Sequence, residues 1–209
     1  MDDNDISKEN RLIDSFVQAE ISVLVELRMG NGLHAMEVEK LVKALTACAD
    51  EWENRENIPQ HAIHALIELY DELYNFSLIY TEEEATRIIE AAKYIKALIE
   101  RWTKETGEIE PEKAKVMAKL LEYITEDGHF FEKLQNGKGM DERQFERIYH
   151  ELESIYNQIY EWETLPKVLV NMLIDLCEIN LYASQYQEQQ EEADKIYDAH
   201  ERIMTLLIG

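Results

Sequence analysis

LRMGNGLHAMEVEKLVKAL occupies residues 27–45, and LQNGKGMDERQFERIYHEL occupies residues 134–152. Gly30 and Gly32 return as Gly137 and Gly139, and Glu39 and Leu45 return as Glu146 and Leu152, 107 positions on. Working outward, Glu56, Pro59, Leu66, Ile67 and Leu69 return as Glu163, Pro166, Leu173, Ile174 and Leu176. After a one-residue slip, at an offset of 108, Glu84, Ala85, Ile88, Ala91, Ile95 and Leu98 return as Glu192, Ala193, Ile196, Ala199, Ile203 and Leu206. A match this long, with the same turn residues, predicts two copies of one helical unit.

Apolar residues recur at helical spacing along the whole chain. With three Pro and seven Gly in 209 residues, there are few helix breakers. The expected class is therefore all-α, a tandem duplication of a roughly 100-residue four-helix unit with eight helices in all. A solenoid of helix pairs is the alternative. The expected domains are 1–106 and 107–209, with Gly107 to Glu110 as a short linker. The first helix is expected from about Ser7 to Arg28, with Leu12, Ile13, Phe16, Val17, Ile21, Leu24 and Val25 inward and Gly30-Asn31-Gly32 as its stop. Helices from about Ala35 to Glu56, from Asn57 to Tyr80 and from Thr81 to Lys104 complete the first unit. His34 with Glu37, Thr81 with Glu84, and Asp141 with Gln144 sit where capping boxes would. Pro59 and Pro166 fit a first helical turn. The second unit is expected as Pro111–Gln135, Glu142–Glu163, Pro166–Tyr186 and Gln189–Leu207, with Asp127-Gly128 as a kink or break in its first helix.

The charge balance is the second strong signal. There are 44 acidic against 21 basic residues, a net charge of −23. Each half carries 22 acidic residues, so the acidity is not a tail. Like-charge repulsion disfavours nucleic acid and anionic membranes as direct partners, whereas a basic protein suits such a surface. No apolar run reaches about 18 residues and no signal-like segment opens the chain, so a cytoplasmic protein is expected. Cys48 and Cys177 fall at apolar helical positions and read as free, buried thiols.

No constellation forces a chemistry. Glu53 and Glu56 close one expected helix, and Glu68 with Asp71 lies one turn apart on the next. Over about 20 residues this resembles the acidic motif of the all-helical MazG-type nucleotide pyrophosphohydrolases, which implies Mg²⁺ held by those four carboxylates. The family's first element is Glu-Glu-x-x-Glu, whereas Trp52 precedes Glu53 here. Glu68 and Asp71 also share a stripe with His64, Glu72 and Asn75, the pattern of a solvated face, so no metal and no cofactor is the favoured expectation. His61 with His64 has zinc-ligand spacing, but its matched positions are Val168 and Asn171. Glu126 to His129 is a lone Glu-x-x-His across Gly128, where a di-iron bundle needs two. The Gly-x-Gly turns follow helices and lack a downstream Lys-Ser/Thr, so they are turns rather than phosphate loops.

The expected function is protein binding. Acidic ridges at Asp50, Glu51, Glu53 and Glu56, at Glu82, Glu83 and Glu84, at Glu161 and Glu163, and at Glu188, Glu191 and Glu192 lie at corresponding helix ends of the two repeats. An aromatic face at Tyr149, Tyr156, Tyr160 and Trp162 is wider than one bundle seam needs. Together they point to an inhibitor, an immunity-type protein or a nucleic-acid mimic that occupies a basic site on a partner. An oligomeric structural or adaptor protein, with the aromatic face as a homodimer contact, is the first alternative. A Mg-dependent MazG-like enzyme is the second.

Overall fold

The computed structural model describes residues 3–103, 109–126, 129–186 and 188–208, with side chains for all of these except 3–7, 101 and 102. The chain divides into two compact units, Met1–Gly107 and Glu108–Gly209. Asp127 and Gly128, the expected end of the fourth helix at Lys104 and the first half of the expected linker lie outside the described residues.

The first unit holds α1 (Asp3–Arg28), α2 (Ala35–Trp52), a three-residue extended segment β1 (Asn57–Pro59), α3 (Gln60–Ser77) and α4 (Glu82–Thr103). Its helices pack in the cyclic order α1–α2–α4–α3. The core is Ile13, Phe16 and Leu24 from α1, Leu41, Leu45 and Trp52 from α2, Leu66, Leu69 and Leu73 from α3, and Ile88 and Ile95 from α4. Ile21 and Val25 were expected in this core but are 45% and 44% exposed, while Glu20 is buried at 3%. Leu27 and Glu20 lie on α1's inward face, and Ile21 and Val25 start the next face round.

The second unit holds α5 (Pro111–Thr125), α6 (Phe130–Gln135), α7 (Glu142–Tyr160), β2 (Thr164–Pro166), α8 (Lys167–Cys177), α9 (Asn180–Ala183), a 3₁₀ turn (Ser184–Tyr186) and α10 (Gln190–Leu207). Eight helices of 11 residues or more thus carry the fold, with α6 and α9 as short additions among the described residues. The expected helix over 111–135 is interrupted between Thr125 and Phe130, and His129 takes a left-handed φ of 54°. Gln144, 5% exposed, donates to the carbonyls of Tyr123 and Glu126 at 2.8 Å and 2.9 Å, satisfying the orphan C-terminal carbonyls of α5.

Pro59 and Pro166 each end an extended segment and occupy the cap position, not the first helical turn. Of the three expected capping boxes, only Asp141 accepts from a backbone N–H, that of Gln144 at 3.1 Å, and Gln144 does not reciprocate. His34 makes no side-chain cap. Glu84 turns away from Thr81 and accepts from the Leu33 N–H across 51 residues.

That contact belongs to a staple. Tyr80 Oη donates to the Leu27 carbonyl at 2.7 Å and accepts from the Gly32 N–H at 3.2 Å. In the second unit Tyr186 Oη donates to the Leu134 carbonyl at 3.1 Å and accepts from the Gly139 N–H at 2.9 Å, while Glu192 accepts from the Met140 N–H at 2.6 Å. Each Gly-x-Gly turn is thereby tied to the start of its unit's last long helix.

Candidate functional site

The acidic residues fall into two groups by position on their helices. Glu82, Glu83 and Glu84 occupy the first turn of α4, and Glu191 and Glu192 the first turn of α10. Carboxylates at an N-terminus complement the positive end of the helix dipole, so these five stabilise their own helices. Glu84 and Glu192 are in addition half-buried staple acceptors and are not presented as ridge members. Glu188 is exposed just ahead of α10.

The second group sits at the opposite helix ends. Asp50 and Glu51 lie in the last turn of α2, Glu53 caps it and Glu56 follows; Glu161 caps α7 and Glu163 follows. Neither helix has a basic residue in its last turn. Carboxylates here face the negative end of the dipole, which destabilises the helix instead of supporting it. Glu51 is offset by Lys8 at 2.5 Å and by Arg55 at 2.7 Å, and its carboxyl is held below the ordinary range, Lys8 acting most strongly. Arg55 also pairs with Glu9, which accepts from the indole N–H of buried Trp52 at 3.2 Å. Glu161 and Glu163 are exposed, and their carboxylates make no ion pair among the described residues.

The aromatic face divides in the same way. Tyr149 is half-buried, 6.1 Å from Phe145, with the Arg202 guanidinium 4.2 Å above its ring. Tyr156 donates to the Leu207 carbonyl at 3.3 Å, and burial raises its pKa, with Tyr160 adding to the effect. Trp162 is half-buried beneath Lys113, 5.6 Å away. Tyr160 alone of the four is exposed, at 60%, and it stands beside Glu161 and Glu163.

The four metal candidates are not assembled. Glu53 and Glu56 are exposed beyond α2, and Glu68 lies about 12 Å along α3 from its first residue at 1.5 Å per residue. Glu68 pairs with Arg28 at 3.2 Å, and Asp71 accepts from Asn75 at 2.9 Å. Among the described residues no group of three or more His, Cys, Asp or Glu is arranged to hold a metal ion.

A cluster that apolar periodicity does not signal lies in the α1–α3 seam. Arg28 Nη2 is 3.2 Å from both Glu68 and Glu72, and buried Glu20 faces the same pair. Burial first, then the charges of Glu68 and Glu72, raise the Glu20 pKa from 4.5 to about 7, with Arg28 opposing. Its matched positions include Gln135 for Arg28 and Ile179 for Glu72, so the cluster is specific to the first unit. That break in the repeat was the available signal. No protein-family model matches this chain, and neither a curated protein nor a solved structure matches it.

Proposed function

We propose that this chain is an acidic, all-helical protein-binding module that occupies a basic site on a partner protein. The observation that carries the reading is charge set against helix electrostatics at Glu161 and Glu163. These exposed carboxylates stand at the negative end of α7 with no basic residue in its last turn. They cost the helix stability, and a basic partner would recover that cost. Tyr160 beside them offers an exposed aromatic anchor within an acidic field. Long-range attraction would bring the partner in, and occupation of its basic surface would exclude that partner's own anionic ligand. Cys48 and Cys177, buried and not joined in a disulfide, fit a cytoplasmic setting.

The test is an affinity pull-down with the full-length protein from nuclease-treated lysate, at about 0.05 M and about 0.5 M salt, which bracket weak and strong screening. The expected result is one basic protein held at low salt, weakened at high salt, and lost from Glu161→Lys/Glu163→Lys and from Tyr160→Ala. Absence of any salt-sensitive partner overturns the proposal.

A further inference from the structure

The second unit contains a side chain that the first unit lacks, and the comparison describes a ligand. In the second unit Arg202 of α10 lies over the Phe145 and Tyr149 rings of α7, 5.1 Å and 4.2 Å from their centroids. Its guanidinium also grips Glu146 through two hydrogen bonds, of 2.5 Å and 3.0 Å. Apolar floor, carboxylate and cation are all supplied by the chain itself.

At the matched positions the first unit carries Val38 and Val42 for the two aromatics, Glu39 for Glu146 and Tyr94 for Arg202. Between α2 and α4 the first unit carries an open groove of about 410 Å³; the α7–α10 seam keeps a hollow of about the same volume, but there Tyr149 and Arg202 form part of its wall. Leu33, Val38, Val42 and Ala91 give it an apolar lining, and Glu39 and Glu90 add two carboxylates. Neither of those side chains makes an ion pair or hydrogen bond among the described residues. Arg87 also lines the groove, but it is held by Glu84 at 2.5 Å and by the Leu33 carbonyl at 2.8 Å. Tyr94 is swung out to 54% exposure, and Met36, at the start of α2, to 70%.

We propose that this groove docks an amphipathic helix of a basic partner protein, seating an apolar side chain on Val38 and Val42 and pairing an arginine with Glu39, as Arg202 pairs with Glu146 in the second unit, with Glu90 as a second carboxylate at hand. The proposal rests on the protein-binding reading above and assigns it a surface. A groove between two helices suits a third helix laid along it. Its apolar lining disfavours a purely charged ligand, and its carboxylates disfavour an acidic one. A second copy of this chain, itself at −23, is repelled.

The probe is a synthetic amphipathic helical peptide with leucines at i, i+4 and i+7 flanked by arginines; its control has glutamate for every arginine. Each is titrated into full-length, isotope-labelled protein. The arginine peptide is expected to shift the methyl signals of Leu33, Val38, Val42 and Ala91, and the glutamate peptide to shift none. Val42→Tyr/Tyr94→Arg, which places the second unit's aromatic–arginine pair at the matched positions beside Glu39, is expected to weaken the peptide about tenfold or more. Glu39→Gln/Glu90→Gln, surface changes that leave the fold intact, should weaken it several-fold. Shifts centred elsewhere, undiminished affinity in Val42→Tyr/Tyr94→Arg, or no shift at about 1 mM peptide would each overturn the groove. In the pull-down, a partner that survives Val42→Tyr/Tyr94→Arg but not Glu161→Lys/Glu163→Lys overturns the groove alone. A pull-down that yields no partner overturns the protein-binding reading itself.

Discussion

At Glu20 a carboxyl takes a place in the α1–α3 seam that an apolar side chain would fill at lower cost. Its folded pKa of about 7 exceeds the ordinary 4.5, so folding favours the protonated form. That preference supports the fold fully below pH 4.5 and is lost as pH rises to about 7 and beyond. Glu20→Gln, neutral and of similar shape, should therefore melt like the parent near pH 4 and be more stable at pH 8, by on the order of 2 kcal/mol. Thermal melts of the pair at both pH values decide it; equal melting at pH 8 sinks the argument. Periodicity counted Ile21 and Val25 as core because it weighs only how many apolar residues share a stripe. It does not say which of two adjacent stripes a neighbouring helix will cover. Gly32 is a second residue with a defined role. At φ +79° an L side chain is strained, and an added Cβ would lie 2.7 Å from Glu84 Oε1, the staple acceptor. Gly30, at φ +78°, has open space instead. Gly30→Ala should cost about 1 kcal/mol and Gly32→Ala measurably more, as read from urea unfolding midpoints.

Among the elements, the staples explain why Gly-x-Gly recurs with a Tyr and a Glu some 50 residues later. Tyr186 is 2% exposed and makes two hydrogen bonds to the turn, whereas Tyr80 is half-buried. Tyr186→Phe leaves a backbone donor and a carbonyl short of a partner, costing about 1–3 kcal/mol. Tyr80→Phe, whose groups water can reach, should cost less. Chemical denaturation of the two variants gives the order, and a reversed order would show that the turn in the second unit finds other partners. Thr81-x-x-Glu84 reads as a local capping box because a linear pattern registers partners three residues apart. The acceptor's actual donor is the Leu33 N–H, which no local pattern contains. The break after α5 was legible locally, in Asp127-Gly128, but its closure was not, because Gln144 reaches that helix end from α7.

For the whole molecule, a net charge of −23 makes self-repulsion a standing cost. Raising salt from about 0.05 M to about 0.5 M should raise the melting temperature of the isolated protein, because the Debye length falls from about 14 Å to about 4 Å. The same change should weaken partner binding. Opposite salt trends in differential scanning fluorimetry and in the pull-down are thus expected of one surface, and a melting temperature that falls with salt would mean that attractive ion pairs dominate. Composition and spacing alone determined the helical class, most helix ends, the Gly-x-Gly turns and the acidity of both halves. These are local or additive properties, read from neighbours in the chain or from a sum over it. Tertiary structure decided which carboxylates are occupied by the fold, which of four aromatic residues stays exposed, and where Glu20 lies. It also decided that Val38 and Val42 line a groove without an arginine laid over them, whereas Arg202 lies over the matched Phe145 and Tyr149. Those outcomes depend on which side chain meets which across 40 to 60 residues of chain, and on whether its volume fills the space there.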